Sequence, residues 1–221
     1  MYEFLLLFSD LVVGVTLIIA MLSLVAYPKV DKALKLLCIY FIVGASTEVL
    51  SYIDAANNEA NTYLLHYYSF FECLVMTRIF GFLYHEVKVK LNLNFILYPA
   101  LLAIVLSSAF IQSTQSYNSL TGAIVSALIL ALSIYYFFMI LDKETEIRFA
   151  SIKKWSITFI FLYHVTLFIF TIFGNFLITL QSETALIIWA VRISIIFMVK
   201  VGLAYQIIRV FLKRKQEKTL R

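Results

Sequence analysis

Residues 185–211 read ALIIWAVRISIIFMVKVGLAYQIIRVF. A membrane-spanning helix needs about 20 predominantly apolar residues, and this run has that length with Arg192 and Lys200 inside it. Ionisable side chains at such depth are costly, usually face a bundle interior or a wet cavity, and mark a functional site by default. The other segments must supply their partners.

Composition makes lipid the solvent. Of 221 residues 62% are hydrophobic and 14% charged, with mean hydropathy +0.93; soluble domains have about 45–50% apolar and about 25% charged residues. Six glycines and two prolines fit helices and short loops. A membrane β-barrel would instead need alternating strands of about 10 residues. Cys38 and Cys73 lie inside apolar runs, which argues for small packing residues and against a disulfide framework. The N-terminus, MYEFLLLFSDLVVGV, carries Glu3 and Asp10 where a signal peptide has positive charge, and its apolar run continues to Tyr27. It reads as a retained membrane helix.

Seven apolar segments follow: Phe4–Tyr27, Ala33–Ile53, Asn61–His85, Phe95–Ile111, Leu120–Leu141, Trp155–Leu180 and Ala185–Phe211. The fourth is the shortest and contains Pro99, which removes a backbone donor and should kink it. Short connections make sequential helices antiparallel neighbours. Fifteen of the 18 Lys and Arg residues fall after segments 1, 3, 5 and 7 or at their edges; Arg78, Arg192 and Lys200 are within segments, and the alternate loops have none. The positive-inside rule then puts the N-terminus outside and the C-terminus in the cytoplasm. The expected architecture is an all-α integral membrane protein of seven transmembrane helices (residues 1–212) with a basic cytoplasmic tail (213–221), multi-pass in a plasma membrane of the bacterial inner-membrane type. The net charge of +5 thus marks a membrane side and does not point to nucleic acid.

Trp155 and Trp189 fall at opposite faces, as interfacial anchors do. The tail KRKQEK can attract anionic lipid or a cytoplasmic partner. Gly122, Ala123, Ser126, Ala127 and Ala131 put small residues on the fifth helix at a spacing that permits close approach, within the bundle or in a homodimer. No internal repeat of the inverted-transporter kind is visible.

A helical rise of about 1.5 Å per residue gives each polar side chain a depth. Asp10, Glu48, His66, Asn175 and Arg192 lie in the outer half; Glu72 and Lys200 lie near the middle, with His164 and Arg78 somewhat inward. Arg192 and Lys200, eight residues apart, share one side of their helix. Arg192 is expected to meet Glu48 or Asp10, and Lys200 to form a buried pair with Glu72. Such pairs can also serve only to fix which helices meet. Arg78 is placed to snorkel.

Enzymatic motifs are missing. There is no G-x-S-x-G, and His85-Glu86 is followed by Val-Lys-Val, so no H-E-x-x-H forms. Seven-helix zinc hydrolases of the ceramidase and adiponectin-receptor type carry an H-x-x-x-H pair on their last helix, which here has no histidine. Metal ligation is therefore not expected. The run VKVG around Lys200 resembles the microbial rhodopsins, a resemblance that implies retinal on Lys200 as a Schiff base with Glu72 as counter-ion. It departs at Ile196, where that family has Asp, and in lacking tryptophans around the polyene. The runs STEVLSYI, NTYLLHYYSFFE and SIYYFF resemble a set of small seven-helix membrane proteins of Bacteroidota, which implies the topology.

What remains is a non-enzymatic sensor or receptor-like protein, or a small-solute or proton-coupled transporter. The first reading assigns a small, anionic or amphipathic ligand from outside to Arg192, Glu48, His66, Asp10 and Asn175, with output through a partner. A transporter needs polar groups on both sides of the midplane, which Glu72, Lys200, His164 and Arg78 would supply.

Overall fold

The computed structural model describes residues 2–57, 59–112, 118–142, 151–180 and 183–219, without the side chains at 2–6, 8–9, 141–142, 151–154, 175, 178–180, 183, 210–211 and 213–219. Lys143 and Arg148, part of the basic loop census, lie outside the described residues, as do the side chains of Lys153, Lys154 and the tail lysines and arginines.

Among the described residues there are seven α-helices and no strand: α1 (Tyr2–Ala26), α2 (Lys32–Ala56), α3 (Thr62–Glu86), α4 (Asn94–Leu106), α5 (Ser119–Asp142), α6 (Ser151–Leu180) and α7 (Glu183–Thr219). Six are long and apolar enough to cross a membrane, the pattern of a helical multi-pass membrane protein. The remaining helix, α3, has the same 25-residue length as α2 but carries His66, Glu72, Arg78, His85 and Glu86 among its aromatics. Its polar groups are mostly turned inward: His66, Ser69, Glu72 and Thr77 are all buried. Large apolar side chains such as Met21, Leu50, Tyr67, Phe110, Phe138, Phe173 and Met198 stand exposed, an outer surface suited to lipid.

Every sequential pair of helices is in contact, as the short connections require. Two further contacts, α1 with α7 and α3 with α5, close α1–α2–α3–α5–α6–α7 into a ring. These extra pairs join odd-numbered helices, which run in the same direction. α4 stands outside the ring against α3 and α5. Its helix continues across Pro99, and the departure from α geometry comes later. Ser107–Ile111 forms a π-helical turn, where Gln112 N–H donates to Ser107 C=O at 2.8 Å.

Local chemistry sets the ends. Pro28 sits in a 3₁₀ turn after α1, and Asp31 caps α2 by accepting from Leu34 N–H at 3.0 Å. Just past the end of α3, Lys88 has a left-handed φ of 58°. Val89 N–H donates to Tyr84 C=O (2.9 Å) and Lys88 N–H to His85 C=O (3.1 Å), the bond pair of a Schellman cap with lysine where glycine is usual. α7 is longer than its apolar run: the basic stretch at 213–219 continues the helix.

The two halves of the ring are packed differently. In the half holding the C-terminal ends of α3, α5 and α7, Phe80, Tyr84, Ile129, Tyr136, Ile157, Ile160 and Ile207 are fully buried. Tyr84 donates its hydroxyl to Leu132 C=O at 2.6 Å, so its ring fills the core without an orphaned donor. Lipid tails provide no hydrophobic drive for helix association, so this interdigitation holds the helices together by dispersion and a few hydrogen bonds. Gly202 allows α7 against α6; a Cβ there would sit 2.5 Å from the Phe159 ring. The other half is hollow.

Candidate functional site

The hollow is a cavity of about 350 Å³ lined by residues from α1, α2, α3, α5, α6 and α7. From α7 come Arg192, Ile193, Ile196, Lys200 and Leu203, a stripe one helical face wide. The same logic on α3 supplies Leu65, Tyr68, Ser69, Glu72 and Met76. Two carboxylates and two basic side chains share this wall: Glu48, Glu72, Arg192 and Lys200. They do not pair as their depths predict.

Lys200 reaches Glu48, with Nζ 2.5 Å from Oε1, and also donates to Thr16 Oγ1 at 2.8 Å. The Thr16 hydroxyl spends its own proton on Val12 C=O at 2.9 Å, leaving its lone pairs for the ammonium. One cation thereby ties α7 to α2 and α1. The Lys200–Glu72 pair expected from Cα depth is replaced because Cβ atoms lean toward a helix's N-terminus. α2 and α7 run in opposite directions, so the Lys200 and Glu48 stems converge, and a flexible four-carbon stem covers the rest.

Glu72 is 4% exposed and accepts from the Tyr40 hydroxyl at 2.6 Å. His164 Nε2 lies 3.9 Å from the same oxygen, beyond hydrogen-bond distance. His164 is fully buried and neither ring nitrogen has a hydrogen-bond partner among the described residues.

Arg192 meets neither Glu48 nor Asp10. Its guanidinium carbon lies 4.8 Å from the Trp189 ring centroid and 5.8 Å from that of Phe170, a cation–π arrangement worth about 0.5–2 kcal/mol. Nε is buried without a hydrogen-bond partner, and no carboxylate among the described residues lies within 4 Å of the group. Trp189, expected only as an interfacial anchor, is therefore also a wall of the Arg192 socket.

Two residues assigned to the ligand, His66 and Asp10, do not gather here. His66 is turned toward α4, with Nδ1 3.1 Å from Ser108 Oγ on the π turn. Asp10 is exposed on α1 and does not line the cavity. The Asn175 side chain lies outside the described residues. Gly122 and Ser126, read as part of a close-approach row, face inward. A Cβ at Gly122 would meet Thr171 Cγ2 of α6 at 2.7 Å, and Ser126 is buried on the cavity wall. Only Ala127 and Ala131 of that row are exposed.

Groups that sequence reasoning passed over complete the wall: Thr16, Tyr40, Tyr68, Tyr163 and Asn118. The tyrosines had a signal, since a hydroxyl in the middle of an apolar run must find a partner. Asn118 had little; it precedes α5 and donates to Leu65 C=O (2.9 Å) and Ser69 Oγ (2.6 Å). Glu48 Oε2, Asn118 Oδ1 and Ser126 Oγ are buried with no hydrogen-bond partner among the described residues. Buried polar atoms of this kind are costly when unmatched, about 1–3 kcal/mol each, and all three belong to residues of the cavity wall. No cluster of three or more His, Cys, Asp and Glu suited to a metal ion occurs among the described residues. No family model, curated protein or solved structure matches the chain.

Proposed function

We propose that this chain is a seven-helix membrane protein that binds a small molecule in the Glu48–Lys200–Arg192 cavity from the extracytoplasmic side. It acts as a non-enzymatic, receptor-like sensor through a membrane or cytoplasmic partner. The observation that carries this reading is the cavity itself: a void of about 350 Å³ with two carboxylates, an arginine and a lysine on its wall. It lies in the half of the ring opposite the basic loops. With α3 counted as a crossing, the distribution of 15 basic residues on one side sets the N-terminus outside and makes that half the outer one.

A one-sided cavity favours binding over transport. Beneath it, Met76, Phe80, Ile160, Leu203 and Ile207 are buried and close the way to the opposite face. The Glu72–His164 neighbourhood supports a proton-coupled transporter as the second reading. Retinal on Lys200 is less well served, because the carboxylate beside Lys200 is Glu48 and Glu72 is engaged by Tyr40; expression with all-trans retinal is expected to give no visible band.

The test is thiol accessibility. In a Cys38→Ala/Cys73→Ala background, Thr47→Cys and Ile196→Cys should react with a membrane-impermeant methanethiosulfonate in right-side-out spheroplasts. Reaction only in inverted vesicles would reverse the orientation, and reaction in neither would close the cavity to ligands. A sensor binds without moving its ligand, so solute uptake by proteoliposomes would favour the transporter instead.

A further inference from the structure

Of the two cations on the cavity wall, one is matched and one is not. Lys200 is neutralised by Glu48 at 2.5 Å. Arg192 has two adjoining aromatic rings within 6 Å, a buried Nε with no hydrogen-bond partner, and no carboxylate within 4 Å among the described residues. An arginine in such a socket is held in place but unsatisfied. The rings of Trp189 and Phe170 restrict its side chain, so much of the ordering cost of a bidentate contact is already met before a ligand arrives. Its planar fork suits a carboxylate or a phosphate.

From Arg192 the wall descends through Ile193 and Ile196 of α7 and Leu167 of α6 to Met76, Ile160 and Leu203. Eight residues of α7 separate Arg192 from Lys200, about 12 Å along the axis. The space between them is chiefly apolar. At about 30 Å³ per water-sized group, 350 Å³ holds roughly a dozen such groups.

We infer that the ligand is an amphipathic anion, with its acidic head on Arg192 and a medium-length apolar body along the α6–α7 wall. This rests on the outward binding cavity proposed above. A compact zwitterion such as a free amino acid fits poorly, since the Glu48 carboxylate that would take its ammonium already pairs with Lys200. The same chemistry is offered by a soluble carboxylate and by an anionic lipid of the bilayer.

Trp189 makes the site visible. With Trp155→Phe, Trp189 is the only tryptophan, and it touches Arg192. The full-length variant in phosphatidylcholine nanodiscs is titrated with decanoate, and in parallel with decanol, following Trp189 emission and, independently, heat of binding. Decanoate should saturate, and decanol should bind at least tenfold more weakly. Arg192→Gln should remove that preference by calorimetry, while Arg192→Lys, which keeps the charge, should retain part of it and confirms that the fold tolerates change there. Nanodiscs containing phosphatidylglycerol distinguish the sources: competition with decanoate assigns the head group to lipid, and no competition assigns it to a soluble acid. Equal binding of decanol and decanoate would overturn the anion inference and leave the cavity reading standing. Absence of decanoate binding in the variant with Arg192 intact also overturns it, while failure of the thiol-accessibility test would remove the cavity reading itself.

Discussion

The Lys200 partnership can be measured by a double-mutant cycle. Lys200→Met keeps the stem length and removes the charge; Glu48→Gln keeps the shape of the carboxylate. The side chains are 13% and 32% exposed, so the pair lies between two regimes. Exposed ion pairs contribute about 0–1 kcal/mol, and breaking a fully buried one costs about 3–5 kcal/mol. A favourable coupling of about 1–2 kcal/mol is therefore expected. Part of the Lys200 contribution survives in neither term, because the bond to Thr16 Oγ1 is lost with Lys200 in both arms and cancels from the cycle. The assay is reversible unfolding in mixed detergent–SDS micelles, with the four proteins compared at one SDS fraction. The control cycle uses Glu72→Gln with Lys200→Met. Glu72 is bonded to Tyr40, so that coupling should fall within the roughly 0.3–0.5 kcal/mol expected of independent sites. If the Glu72 cycle couples more strongly than the Glu48 cycle, the pairing described here is wrong and the depth-based pairing is right.

Tyr40→Phe deletes the only described hydrogen-bond donor to Glu72 and should cost about 1–3 kcal/mol; denaturant unfolding beside a control at the exposed Tyr98, Tyr98→Phe, checks this. Gly202→Ala pushes a methyl group into the Phe159 ring 2.5 Å away and should destabilise by about 1–3 kcal/mol; relief by the added change Phe159→Leu would show that the clash is the cause. Lys88→Gly should raise stability by up to about 1 kcal/mol, because the left-handed φ of 58° strains a residue with a Cβ. A thermal shift downward would refute that.

Individual residues show where sequence reasoning reaches its limit. Arg192 and Lys200 announce themselves as costly groups on one face of one helix, and both line the cavity. Their partners were not legible. Depth along a helix axis places Cα atoms, whereas contact is made at the ends of side chains that lean with helix direction, and for Lys200 this carried the ammonium to Glu48. His66 shares the outer half with Glu48 and Arg192 in depth, but α4 lies outside the ring and draws His66 toward Ser108. Gly122 has the spacing of a dimer face, and only the position of α6 shows that Thr171 occupies the gap.

Hydrophobic length, the scarcity of glycine and proline, and the alternation of basic loops depend on each segment's relation to lipid and water, which is a local property of the chain. By itself the sequence therefore determined the helices, their approximate limits and the chain's expected direction through a membrane. Which helices touch without being consecutive depends on side-chain shape at distant positions. Only the tertiary structure decided that α1 closes on α7 and α3 on α5, that α4 is excluded from the ring, and that one half packs solid around Tyr84 and Tyr136. The other half stays hollow, and there Glu48 pairs with Lys200 while Arg192, beside the Trp189 and Phe170 rings, has no carboxylate within 4 Å among the described residues.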